Sequence, residues 1–168
     1  MKFLIVVDMQ VDFINGALGS ADAMAIVPFV KETVANFDGR VIFTRDTHGE
    51  DYLSTREGRR LPVPHCIRGT AGHEICDELL PYAKTVIDKE TFGSTALADA
   101  IRGCGESVDE IILLGLCTDI CVISNAMLLK AEFPEAELTV LSSGCAGVTT
   151  ESHEVALSAM RAVQINVI

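Results

Sequence analysis

The chain has 168 residues, 49% of them hydrophobic and 22% charged, the balance of one compact folded domain rather than a disordered segment. Its formal net charge of −11 argues against a nucleic-acid or anionic-membrane partner, because phosphate binding requires a basic face. The apolar run Phe3–Val7 stops at Asp8, too short for a signal-peptide core or a spanning helix, so the expectation is a cytoplasmic protein. In that compartment the six cysteines are reduced thiols rather than a disulfide framework, and none forms a C-x-x-C pair.

Short β-branched runs alternate with helical patterns. "KFLIVVD" (2–8) reads as a buried strand, and "ADAMAIVPFVKETVANF" (21–37) as a helix complicated by Pro28. "GRVIFTRD" (39–46) reads as the second strand and "AKTVIDKE" (83–90) as the third. "TALADAIRGCG" (95–105) is a helix ending in glycine, "DEIILLG" (109–115) the fourth strand, and "TDICVISNAMLLKAEF" (118–133) a helix capped by Thr118. "AELTVLSS" (136–143) follows as the fifth strand, then a helix over 149–162 with threonine at its start, and "QINVI" (164–168) as the last strand. Continuous apolar strands separated by helices predict an α/β fold, a three-layer α/β/α sandwich with a mostly parallel sheet of about six strands in a single domain over 1–168. Between Thr47 and Gly72 no periodicity holds, and a loop of that length inside a compact domain is usually functional.

In an open parallel sheet, ligands sit beyond the carboxyl ends of the strands. The polar residues there form an orderly set: Asp8 after strand one, Asp46 and His48 after strand two, Lys89 after strand three, and Cys121 after strand four. A cysteine in the first turn of a helix faces unpaired amides and the positive end of the helix dipole, which favour a thiolate and could hold an oxyanion. Two buried cysteines of purely structural role fit Cys117 and Cys121 equally well at this level. Asp8 is costly to bury alone, and Lys89 is its natural partner, either as a structural ion pair or as a proton-shuttling pair beside a thiol. Asp46 and His48 share one side of an extended segment, a spacing that suits a metal. His65 in "PVPHC" and Glu57 in "TREG" could add ligands, with Cys66 a softer alternative. His73 and His153 read as solvent-facing or helix-end residues.

"VVDMQVDF", "DKETF" and "GLCTDICV", in that order, resemble the three motifs of the isochorismatase-like cysteine hydrolases, and "SSGCAGVTTESHEVALSAM" is similar to the family's C-terminal segment. Within that family, "RDTHGEDYLSTREGRRLPVPHCIRGTAGHEI" resembles the nicotinamidase branch. The resemblance implies Asp8, Lys89 and Cys121 as catalytic residues, a cis peptide at Leu116-Cys117, and the backbone N–H groups of Cys117 and Cys121 as an oxyanion hole. It implies Asp46, His48 and His65, with Glu57 as a further candidate, as ligands of a divalent ion, zinc in the first instance, with iron or manganese as alternatives. Phe13, Phe92 and Leu116 are the implied substrate-pocket residues, the substrate a small amide, and the assembly a homo-oligomer. Hydrolysis of nicotinamide to nicotinate and ammonia, serving pyridine-nucleotide salvage, is the expected reaction. The chain departs from its relatives in three places. Pro62-Val63-Pro64 stands where many carry a tryptophan, Thr95 where a second aromatic is common, and Ser142-Ser143 where strand five is expected to end in aspartate. Two other readings stay open: a family member acting on a carbamoyl or ureido substrate, and a redox or metal-sensing protein using the cysteines.

Overall fold

A computed structural model describes all 168 residues. Six strands form one sheet in the order β3-β2-β1-β4-β5-β6, every neighbouring pair parallel. The strands are β1 (Lys2–Val7), β2 (Arg40–Asp46), β3 (Val86–Lys89), β4 (Glu110–Leu116), β5 (Glu137–Ala146) and β6 (Asn166–Val167). Phe3 to Val7 of β1 are wholly buried, as a central strand covered on both faces must be. The helices are α1 (Val11–Ile14), α2 (Ala21–Asn36), α3 (Thr95–Arg102), α4 (Ile123–Glu132) and α5 (Thr150–Ala162). Helix α2 buries Ala23, Ile26, Val30 and Val34, one stripe at helical spacing, against β4 and β5. Helices α3, α4 and α5 pack on one another across the opposite face. No helix is long and apolar enough to cross a membrane.

Strand order reverses at β1. The chain steps from β1 to β2 in one direction and from β4 to β5 in the other, so a crevice opens between the carboxyl ends of β1 and β4. The irregular segment from Thr47 to Gly72 contains the 3-10 turn Tyr52–Ser54 and lies over the ends of β2 and β3, anchored by a bridge from His48 to Ile67.

Three local expectations are corrected. Thr118 does not cap a regular helix: residues Thr118–Val122 form one π-helical turn, and the Thr118 hydroxyl pairs with His153 Nδ1 at 2.8 Å instead. Strand β5 does not end at Ser142-Ser143. Its register against β4 jumps from Leu113↔Val140 to Gly115↔Cys145, a bulge in which Ser142 bonds the Ile168 carbonyl, and the strand resumes to Ala146. His73 is not solvent-facing but 2% exposed, with Nε2 at 2.9 Å from the Thr47 hydroxyl, and burial lowers its pKa. His153 does lie at a helix end, in the first turn of α5.

Gly115, the penultimate residue of β4, has a φ of 121°, and a Cβ there would sit 2.1 Å from the Val7 carbonyl oxygen. Neither the angle nor the backbone neighbour can yield cheaply. Gly115→Ala is expected to cost about 3 kcal/mol or more in a urea unfolding titration; a loss below about 1 kcal/mol would show that the β1–β4 approach is slack.

Candidate active site

Three strand ends and one helical turn converge on the ammonium of Lys89, which is 3% exposed. Its Nζ lies 2.6 Å from Asp8 Oδ2, 3.1 Å from Asp46 Oδ1 and 3.3 Å from Cys121 Sγ. Asp8 ends β1 with a positive φ of 47°, and its carboxylate is fully buried. Thr44 of β2 fixes it: the hydroxyl donates to Asp8 Oδ1 at 2.6 Å and accepts the Asp8 N–H at 3.2 Å. Asp8 Oδ2 faces the ammonium and meets no other donor.

One lysine cannot neutralise two carboxylates and a thiolate. Burial would lower the Lys89 pKa, but Asp8, Cys121 and Asp46 together hold it above its ordinary value, so the lysine is charged. Asp46 is opposed by burial too. Hydrogen bonds from His48 and His65 and the charge of Lys89 outweigh that and hold its carboxyl far below the usual range. Asp8 has fewer donors, and burial, only partly offset by Lys89, raises its pKa. Burial and the charge of Asp8 push the Cys121 thiol well up against the pull of Lys89. Burial thus opposes the thiolate expected in the first turn of a helix, a turn that is here π-helical. Cys117 is likewise pushed up, to about 12, chiefly by burial.

The peptide Leu116-Cys117 is cis, and the Cys117 N–H makes no hydrogen bond within the protein. Asn125 on α4 was not singled out from the sequence, yet it ties the turn that carries Cys121 to the loop after β3. Its Nδ2 donates to the carbonyls of Cys121 and Phe92, and its Oδ1 accepts the Ser94 N–H. A lone asparagine inside an otherwise ordinary helical pattern carries no signal of this.

Beside Lys89, the ligand atoms of Asp46, His48, Glu57 and His65 all lie within 4.8 Å of one another. His48 Nε2 is 2.8 Å from Asp46 Oδ2 and 3.6 Å from Glu57 Oε1; His65 Nε2 is 3.5 Å and 3.9 Å from the same two oxygens. His65 Nδ1 lies 2.8 Å from the Val63 carbonyl, a contact that leaves Nε2 facing Asp46 and Glu57, to donate to their carboxylates when it carries a proton or to bind a metal when it does not. Two imidazoles and two carboxylates around one point form a donor set suited to zinc, iron or manganese. Tyr52, another residue the sequence gave no reason to choose, packs its ring 4.6 Å from His48 and 5.0 Å from His65 and donates its hydroxyl to the Leu61 carbonyl. Cys66 is buried outside the group, and its N–H donates to Asp12 Oδ2 at 2.8 Å.

A cavity of about 420 Å³ joins the two clusters. Cys121 and Cys117 lie on one part of its wall, Asp46, Glu57 and His65 on another, with Phe13, Phe92 and Leu116 between them. The Phe13 ring lies 5.5 Å from that of His65, and Phe92 and Leu61 are half-exposed. A small flat molecule with one polar end at the thiol and another at the carboxylate–imidazole group fits such a space.

The chain is similar to known proteins along its whole length. The family model described as the isochorismatase domain matches residues 2–168. The isochorismatase family protein PncA of Bacillus subtilis is 32% identical over 94% of this chain and 92% of its own. The nicotinamidase/pyrazinamidase of Mycobacterium tuberculosis is 29% identical over 100% of this chain and 98% of its own. The crystal structure of the pyrazinamidase of Pyrococcus horikoshii in complex with zinc superposes with a TM-score of 0.83 at 31% identity, covering 99% of this chain and 98% of that one. With the family model matching residues 2–168 and a family protein 32% identical over 94% of it, the chain belongs to the isochorismatase family.

Proposed function

We propose that the protein is a cysteine amidohydrolase that converts nicotinamide and water to nicotinate and ammonia through a thioester on Cys121, and that the nicotinate returns to pyridine-nucleotide synthesis. The observation that carries this reading is the buried ion pair of Asp8 Oδ2 with Lys89 Nζ at 2.6 Å, the same ammonium lying 3.3 Å from the Sγ of Cys121, a residue that lines an apolar cavity.

In this mechanism Asp8 takes the Sγ proton as the thiol attacks the carboxamide carbon. The Cys117 N–H, with that of Cys121, receives the developing oxyanion. Asp8 then gives its proton to the amide nitrogen, the C–N bond breaks, and ammonia leaves. For the second half, Asp8 takes a proton from water, the hydroxide attacks the thioester carbon, and the C–S bond breaks as Asp8 returns that proton to Sγ, restoring the thiol and releasing the acid, which ionises to nicotinate in solvent. Lys89 holds Asp8 in line and offsets the negative charge that passes among Asp8, Sγ and the oxyanion. Asp46, His48, His65 and Glu57 would hold a divalent ion, zinc in the first instance. When bound, that ion supplies a Lewis-acidic contact for the pyridine nitrogen, which orients the ring. Phe13, Phe92 and Leu116 supply the apolar contact to the ring.

A second reading has one observation in its favour. The chain has no tryptophan, and the half-exposed Leu61 and Phe92 leave the cavity mouth open, so an acyl group other than a pyridine, such as a carbamoyl or ureido compound, would also fit. A substrate panel read by ammonia release separates the two.

Cys121→Ala is expected to lower kcat/KM for nicotinamide by on the order of 10³-fold or more. Cys117→Ala, which keeps its backbone N–H, should stay within roughly tenfold of wild type. Ammonia release measures both, and a Cys121→Ala protein with near-wild-type turnover would remove the thiol from the mechanism. Dialysis against a chelator should raise KM and lower kcat/KM, with recovery on adding zinc, iron or manganese. Turnover unchanged after metal analysis shows no bound ion would leave the Asp46–His65 group a purely structural one.

A further inference from the structure

We propose that Gln10 is the positioning residue that aligns Asp46, the carboxylate shared between the imidazole group and Lys89. Gln10 is fully buried, and its carboxamide makes three hydrogen bonds. Oε1 accepts the Asp46 N–H at 2.7 Å, while Nε2 donates to the Asp46 carbonyl at 2.9 Å and to the His73 carbonyl at 2.8 Å.

The reason lies in the sheet. The pairing of β1 with β2 ends at Val6↔Phe43, and the chain then turns at Asp8. On its other side β2 still pairs with β3 as far as Asp46↔Lys89. In a parallel ladder one residue sends both its N–H and its C=O to the same neighbouring strand. Asp46 has lost that neighbour, and a buried peptide group left unpaired is costly. A glutamine carboxamide offers the donor and acceptor of a peptide group on a flexible stem, and Gln10 presents it where the next turn of the β1 ladder would have been.

The bond to His73 extends the clamp. The His73 ring contacts the hydroxyl of Thr47, between Asp46 and His48, so the segment 46–48 is gripped through its backbone by Gln10 and through Thr47 by His73. The two oxygens of Asp46 face different clusters: Oδ2 meets His48 and His65, and Oδ1 meets Lys89. A displacement of the Asp46 backbone therefore reaches both. Hydrogen-bonded supports of this kind carry a large share of the metal affinity of a site.

The inference rests on the reading of Asp46, His48, Glu57 and His65 as a metal site, and not on the identity of the amide. The test is the zinc affinity of purified Gln10→Met, measured by competition with a chromogenic chelator. Methionine keeps the length of the side chain and removes all three bonds. Zinc binding is expected to weaken on the order of 10- to 100-fold. Leu129→Ala, a core deletion in α4 remote from the site, should lower the melting temperature yet keep wild-type zinc affinity. If Gln10→Met does not fold, Gln10→Asn is read in the same way; it keeps the carboxamide but withdraws it by one methylene. Wild type that binds zinc beside Gln10 variants that bind it equally well overturns this inference alone, as does an equal loss in Leu129→Ala. Wild type that binds no zinc overturns the metal reading and this inference together. Gln10-dependent zinc binding in a protein that leaves nicotinamide intact supports the inference and removes the substrate.

Discussion

One buried ammonium organises the site. Lys89 is within 3.3 Å of two carboxylates and a thiol, in a place where an unpaired charge of either sign would be prohibitively expensive. The partners arrive on separate elements: Asp8 on β1, Asp46 on β2, Lys89 on β3, and Cys121 on the turn after β4. Only a parallel sheet delivers all of them to one edge, and only the reversal of strand order at β1 opens the space between them. The lysine, in turn, makes the burial of Asp8 and Asp46 tolerable. Fold and charge cluster depend on one another.

The surplus of negative charge around Lys89 divides unequally. Asp46 is held ionised by two imidazoles as well as by the lysine. Asp8 has its threonine and a share of the ammonium, and it is pushed toward protonation. Two carboxylates driven apart in this way take different work: one is a fixed anion and the other exchanges protons. The thiol belongs to the second half of this division. Burial favours its protonated form, which in the proposed mechanism makes its activation a proton transfer to Asp8 on attack. The reversible disulfide expected of a redox sensor finds no support in two thiols that are both pushed up by burial.

Much of this was legible in the chain. The five strand runs from "KFLIVVD" to "AELTVLSS" carry enough β-branched and aliphatic residues to set the sheet, and each charged residue ending a run marks the edge where chemistry collects. The pairing of Asp46 with His48 followed from the two-residue period of an extended segment. Other features have no local signature. The π-turn over 118–122 is one of them, because the periodicity of these residues is that of a plain helix. The bulge in β5 depends on the C-terminal Ile168 carbonyl as an acceptor, a contact 26 residues away. Tyr52, Asn125 and Gln10 are single polar or aromatic residues whose importance lies in partners remote in sequence. His73 closes the 3-10 turn Ala71–His73, as a helix-end residue does, but its burial against Thr47 comes from a partner 26 residues away that no local pattern announces.

The central claim is that the acyl group is carried on the Cys121 sulfur. Acid quenching during steady-state turnover of nicotinamide, followed by peptide mass spectrometry, tests it most directly. The account predicts a peptide heavier by one nicotinoyl group, with fragment ions placing the adduct on Cys121 and none on Cys117. Full turnover with no acylated peptide at any quench time, or an adduct on Cys117, would contradict it.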